Sequence, residues 1–222
     1  MPNTAPKEDI AANRDRILSD IASAADHPVE LIAVSKVQPD ERLQAALDAG
    51  HLVFGENKVQ EAQAHWAARR GIEGLKLHLI GPLQSNKSED AVALFDVIQT
   101  IDRKKIVRTI SEAAEKLDRF PDLFIQVNTG EEAQKSGVMP DDVEDLVAYT
   151  RETYPGKLVG LMCIPPVDEP AAPHFALLKK MADGLGLESV SMGMSADYEL
   201  GVQLGATHVR VGSAFFGERQ PA

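Results

Sequence analysis

The sequence predicts a closed (β/α)8 barrel of the TIM type, and three observations carry that reading. Eight short strand-like runs alternate from end to end with segments of helical apolar spacing, and strict alternation of this kind demands right-handed crossovers and a parallel sheet. Eight such units in 222 residues is the number that closes a barrel. The first strand is followed by SKVQPDE, which lacks the glycine-rich first turn of a doubly wound open sheet.

The elements follow in order. Residues 8–25 (EDIAANRDRILSDIASAA) set Ile10, Ile17, Leu18 and Ile21 at helical spacing ahead of the first strand. The strand runs are LIAVSK (31–36), HLVFGEN (51–57), LKLHLIG (75–81), FDVIQTI (95–101), DLFIQVN (122–128), KLVGLMCI (157–164), ESVSMGM (188–194) and THVRVGS (207–213). After the first, Pro39-Asp40 opens a helix through Leu43, Ala46 and Leu47, with Gly50 placed to end it. Ile106, Ile110, Ala113 and Leu117 repeat the pattern after strand four. Val143, Leu146, Val147 and Thr150 do so after strand five, and Phe175, Leu178 and Met181 after strand six. The chain ends at GERQPA, soon after strand eight, so the N-terminal helix is expected to stand in the place of the eighth helix, with no room for another. No Pro/Gly-rich linker or low-complexity tract divides the chain, and residues 1–222 are expected to form a single domain.

The net charge of -11 disfavours a nucleic-acid or anionic-membrane partner, since either needs a basic surface. One cysteine, Cys163, excludes an internal disulfide and agrees with a reducing compartment. No apolar run approaches spanning length, and the start MPNTAPKEDI lacks the apolar core of a signal peptide, so a cytoplasmic protein is expected. The six histidines show no metal-ligand spacing.

The chemistry starts at Lys36. A lysine at the carboxyl end of a parallel strand, beside apolar neighbours, loses hydration, and its neutral amine becomes a nucleophile able to form an imine. Taken alone it is more simply a solvated loop lysine. Closure of the barrel, however, brings it beside the ends of strands seven and eight, where phosphate sites of such barrels gather. There Ser195 stands at a strand-to-helix turn in SMGMSADYE. Arg210, Gly212 and Ser213 in VRVGSAFFG supply a fixed charge, close backbone approach and a further donor. The plain alternative is turn glycines and a surface ion pair. An amine facing a phosphate cradle is what pyridoxal 5'-phosphate requires.

The runs AVSK (33–36), FGENKVQE (54–61), HLIGPLQSNK (78–87), GLMCIPP (160–166), SMGMSADYE (191–199) and VRVGSAFFGER (210–219) closely resemble the pyridoxal 5'-phosphate homeostasis protein family, related to the alanine racemase barrel. The resemblance implies a fold-type III barrel in which Lys36 carries pyridoxal 5'-phosphate as an internal aldimine. It also implies that Ser195, Arg210, Gly212 and Ser213 surround the phosphate, although Arg210 has a second placement against the pyridine nitrogen, as in alanine racemase. Asn57 is implied as a partner of the ring hydroxyl or a wall of the pocket, against the alternative of a satisfied turn asparagine. Lys58 stands where family members often have tyrosine or arginine, and Pro82 also departs from the pattern. Alanine racemases add a C-terminal domain whose tyrosine completes a two-base site, and this chain stops before one. The expected function is therefore a non-catalytic carrier or regulator, monomeric, passing the cofactor to amino acids or acceptor apo-enzymes. A weak amino-acid racemase and a cofactor-free Schiff-base aldolase are the rival readings.

Overall fold

A computed structural model describes residues 6–217. The order is α1 (Pro6–Ala24), β1 (Glu30–Val34), α2 (Asp40–Asp48), β2 (Val53–Glu56), α3 (Val59–Trp66), β3 (Lys76–Leu79), α4 (Ser88–Leu94), β4 (Val97–Ile101), α5 (Lys104–Leu117), β5 (Asp122–Val127), α6 (Val143–Thr153), β6 (Leu158–Cys163), α7 (Ala171–Gly184), β7 (Ser189–Met194), α8 (Tyr198–Gln203), β8 (His208–Val211) and α9 (Ser213–Phe216). Each strand pairs in parallel with the next, and β8 closes on β1, with Glu30 opposite His208 and Ala33 opposite Val211.

The predicted helical stripes are the buried faces. Leu43 and Ala46 of α2, Ile106 and Ile110 of α5, Leu146 and Val147 of α6, and Phe175 and Leu178 of α7 all pack into the core. Leu117, at the end of α5, is exposed instead. Thr150 fits an apolar face because its hydroxyl donates to Leu146 O at 2.7 Å. Gly50 ends α2 at a left-handed φ of 77°, while His51 N–H reaches back to Ala46 O and Gly50 N–H to Leu47 O. That pair of bonds satisfies carbonyls the helix would otherwise orphan.

One correction concerns the last helix. The chain does place a helix after β8, the single turn of α9, and α1 packs against it as well as against α2 and α8. The long N-terminal helix thus closes the ring together with a short C-terminal one. Its Ile10, Ile17 and Ile21 are buried.

Period-two alternation divides each strand between two environments. Leu31, Ala33, Leu77, Leu161, Val209 and Val211 point out and join the helices in one continuous core. The inner face holds a small separate apolar cluster, Val97, Phe124 and Met162, and a set of buried polar side chains that includes His78, Gln99, Ser191 and Arg210. Among the described residues, no helix is long and apolar enough to cross a membrane.

Candidate functional site

β1 ends at Val34, so Lys36 lies two residues beyond the strand, in a turn closed by Gln38 N–H donating to Ser35 O at 3.1 Å. Lys36 is half-buried. The next residue, Val37, has a left-handed φ of 59° and is 69% exposed. A β-branched side chain is disfavoured there by about 1–2 kcal/mol, so something must hold the turn. Val37 N–H donates to the Glu61 carboxylate of α3. On the other side of the lysine, Ser35 is wholly buried and its hydroxyl donates to Glu56 Oε1 at 2.7 Å. The residues flanking Lys36 are therefore both clamped by carboxylates of the β2–α3 segment.

Glu56 anchors this clamp. Its Oε1 also accepts from His65 Nδ1 at 2.8 Å and Trp66 Nε1 at 3.0 Å, and the side chain is fully buried. The hydrogen bond to Glu56 raises the His65 pKa above its ordinary value, against the pull of burial. Glu56, Glu61 and His65 lie close together, with Glu56 Oε1 and His65 Nδ1 bonded to each other and Glu61 bonded to Val37 N–H, while Glu56 Oε2 is buried without a hydrogen-bond partner. Glu56→Ala would leave three donors without their acceptor and is expected to destabilise the fold by roughly 3 kcal/mol. Urea unfolding of the variant and of Glu56→Gln measures this, the amide costing less because it keeps an acceptor.

Ser195 follows β7 directly, and its Oγ accepts Gly212 N–H at 3.1 Å and Ala214 N–H at 3.3 Å. Two backbone amides of the β8–α9 turn thus converge on one point, as they would on an oxyanion. Ser213, at the start of α9, is exposed. The Gly212 backbone lies beside Val34, since a Cβ built on Gly212 would sit 3.5 Å from Val34 Cβ. That is ordinary contact, so the protein itself does not require glycine there for space. The ends of β7, β8 and β1 meet at this seam, with Lys36 two residues past Val34.

Asn57, just beyond β2, makes no side-chain hydrogen bond among the described residues. Its position is set by Gly81, where a Cβ would come within 2.2 Å of Asn57 O; only glycine lets the two loops approach so closely.

Arg210 departs from the cradle. Its Nη1 donates to Ser191 Oγ at 2.6 Å and its Nη2 to Cys163 O at 2.8 Å, neither in the Ser195–Gly212 turn. It is 3% exposed, and no carboxylate of a described residue pairs with it; burial lowers its pKa to about 10. A buried cation held by neutral acceptors is costly unless a ligand offers a lone pair or negative charge. A buried cation without a carboxylate partner, together with the two amides that converge at the β7–β8 seam, fits an anionic aromatic cofactor. The Cys163 thiol is buried and pushed up to about 12, which makes it inert.

Sequence reasoning missed Ser35, Glu56, Glu61, Gln99 and Ser191. The available signal was period-two polarity: Lys76 with His78, and His208 with Arg210, mark strand faces that are buried yet polar.

The model of the alanine racemase N-terminal domain matches residues 9–220. Pyridoxal phosphate homeostasis proteins are 36% identical over 208 residues in Aquifex aeolicus (90% of this chain, 91% of that protein) and 40% identical over 221 residues in Pseudomonas aeruginosa (96% and 95%). PipY of Synechococcus elongatus PCC7942 is 35% identical and covers 94% of this chain and 100% of its own. It superposes with a TM-score of 0.87 in the structure without pyridoxal phosphate and 0.84 in the structure with it bound. Alanine racemase of Clostridium difficile 630, at 16% identity and TM-score 0.73, covers 95% of this chain and 57% of its own, and shares the barrel. On its sequence and its closed parallel barrel together, the chain belongs to the pyridoxal phosphate homeostasis protein family, within the alanine racemase N-terminal domain class.

Proposed function

We propose that this chain is a monomeric, cytoplasmic carrier of pyridoxal 5'-phosphate that holds the cofactor through a Schiff-base linkage to Lys36 and yields it to acceptor apo-enzymes or amines. The observation that carries the reading is the convergence of the Gly212 and Ala214 amides on Ser195 Oγ, at the seam where β1 delivers Lys36. The bound cofactor supplies an electrophilic aldehyde and an electron-withdrawing ring. Ser195, Gly212 and Ser213 serve its phosphate, and Asn57 lines the ring. Arg210, whose bonds run inward to β6 and β7, suits the pyridine nitrogen better than the phosphate.

Binding without turnover is supported by where several tyrosines and histidines are committed. Proton exchange at an amino-acid α-carbon needs a positioned base beside the substrate. Tyr198 donates to Asp20 at 2.6 Å and Tyr154 to Pro121 O at 2.6 Å. Burial pushes both phenols up, Tyr198 to about 12. The ring nitrogens of His27, His51 and His174 likewise contact backbone carbonyls. These groups are occupied in packing.

The purified chain mixed with pyridoxal 5'-phosphate is expected to develop visible-region absorbance, and borohydride trapping to leave a pyridoxyl group on the Lys36 peptide. A sugar adduct on that peptide would favour the aldolase reading. Solvent-deuterium exchange into an amino acid, dependent on Lys36, would favour the racemase.

A further inference from the structure

The inner faces of five strands are joined into one hydrogen-bonded column. Arg210 Nη1 donates to Ser191 Oγ (2.6 Å), Ser191 Oγ donates to Gln99 Oε1 (2.7 Å), and Gln99 Nε2 donates to His78 Nδ1 (2.9 Å). His78 Nε2 then lies 3.1 Å from Glu30 Oε1, a contact set off the line of an ideal hydrogen bond. Glu30 sits at the first position of β1, at the amino-terminal floor of the barrel, where Lys76 Nζ also reaches it at 2.9 Å and His208 Nε2 at 3.4 Å.

The direction of this column is forced. A guanidinium has no acceptor, so Ser191 must accept from Arg210 and spend its single proton on Gln99. The Gln99 carbonyl is thereby used, its amide faces His78, and His78 must offer a lone pair at Nδ1 and carry its proton at Nε2, toward Glu30. Turning the Gln99 amide over would present two donors to Ser191, whose own proton would lose its acceptor. It would also set a carbonyl against the bare Nδ1. Only one neutral arrangement satisfies Arg210, Ser191 and Gln99 together while turning the remaining His78 proton toward the Glu30 carboxylate 3.1 Å away, and in a buried network the reversed arrangement, with donors and lone pairs set against their like, is heavily disfavoured.

We propose that this column orients the Arg210 guanidinium in the cofactor pocket, so that Gln99, His78 and Glu30 are positioning residues acting from within the barrel and from its far floor. The inference rests on the reading that Arg210 serves the pyridoxal site, and it extends that site to residues remote from the mouth. It explains why a cation with no carboxylate beside it keeps one orientation: its order is borrowed, through three neutral side chains, from a carboxylate at the opposite end.

The test uses the cofactor-free chain with 15N-labelled arginine, following hydrogen exchange and chemical shift of the Arg210 side chain by NMR. Gln99→Leu and His78→Leu are each expected to speed its Nη–H exchange by about tenfold, the worth of one buried hydrogen bond. His78→Gln, which can accept from Gln99 and donate to Glu30, is expected to restore slow exchange. Unchanged Arg210 exchange in folded Leu variants overturns the proposal, as does failure of His78→Gln to rescue. If the Leu variants do not fold, Glu30→Gln at the partly exposed floor decides by the same readout: a shifted Arg210 resonance supports the column, and an unmoved one overturns it. A wild-type chain that forms no visible adduct with pyridoxal 5'-phosphate refutes the functional reading separately, without altering the NMR result.

Discussion

Lys36→Ala is expected to abolish the visible-region absorbance that the wild-type chain develops with pyridoxal 5'-phosphate, and to weaken retention of the cofactor by at least about a hundredfold, or ~2.7 kcal/mol. The variant removes the amine while leaving the anion cradle in place. The Gly212 and Ala214 amides converge on Ser195 Oγ, and neither bond uses an atom of Lys36. Weak, colourless phosphate binding should therefore persist and be competed by inorganic phosphate. Lys58→Ala is the matched control, because Lys58 is exposed just ahead of α3 and outside the clamp. Absorbance titration and dialysis retention measure both variants. Colour that survives Lys36→Ala would refute the assignment, and colour lost in Lys58→Ala would move the attachment to the neighbouring loop.

The second large effect is acid lability. Burial holds His51 and His208 down at about 4, and lowers His78 as well. An unfolded chain protonates these rings near their ordinary value of 6.5, whereas the folded chain resists until well below it. Between those limits the unfolded state binds more protons, so stability is complete above about pH 6.5 and falls as pH drops toward 4. The limiting loss is about 3 kcal/mol for each of His51 and His208. His78 and His208 share Glu30 and titrate as a set, so their losses do not add.

Glu30 extends the trend. Burial alone would raise its carboxyl, but His78 and Lys76 outweigh that and hold it at about 2, so its contribution is present above about pH 4.5 and is lost as pH falls through 2. His65 has the opposite sign. Its raised pKa stabilises the fold below 6.5, and that support fades as pH rises through the folded value. Urea midpoints from pH 8 to 4 should therefore peak near neutrality and drop steeply on the acid side. His208→Phe, which keeps an aromatic ring against Phe124, should flatten the acid limb. A midpoint independent of pH below 6.5 would refute the buried neutral histidines.

The barrel was legible because its signals are local. Alternating strand and helix periods, the Gly50 stop and the apolar stripe of α1 all depend on neighbours within a few residues, and the eight-fold count closes the sheet without further information. Lys36, Ser195 and Gly212 were legible for the same reason, as residues at strand ends that a closed barrel gathers. The one-turn α9 was missed because four residues hold too little periodicity to register.

Arg210 shows the limit. From its run it could serve a phosphate or a ring nitrogen, and only the bonds to Ser191 and Cys163 turn it inward. The Ser35–Glu56 clamp and the Gln99–Ser191 link join positions 21 and 92 residues apart. Sequence by itself determined the barrel, its closing seam and the lysine delivered there, because those follow from local periodicity and strand count. Which buried polar groups meet inside was decided by the tertiary structure, since the stagger of strands around a closed barrel sets those partners, and no local pattern encodes it.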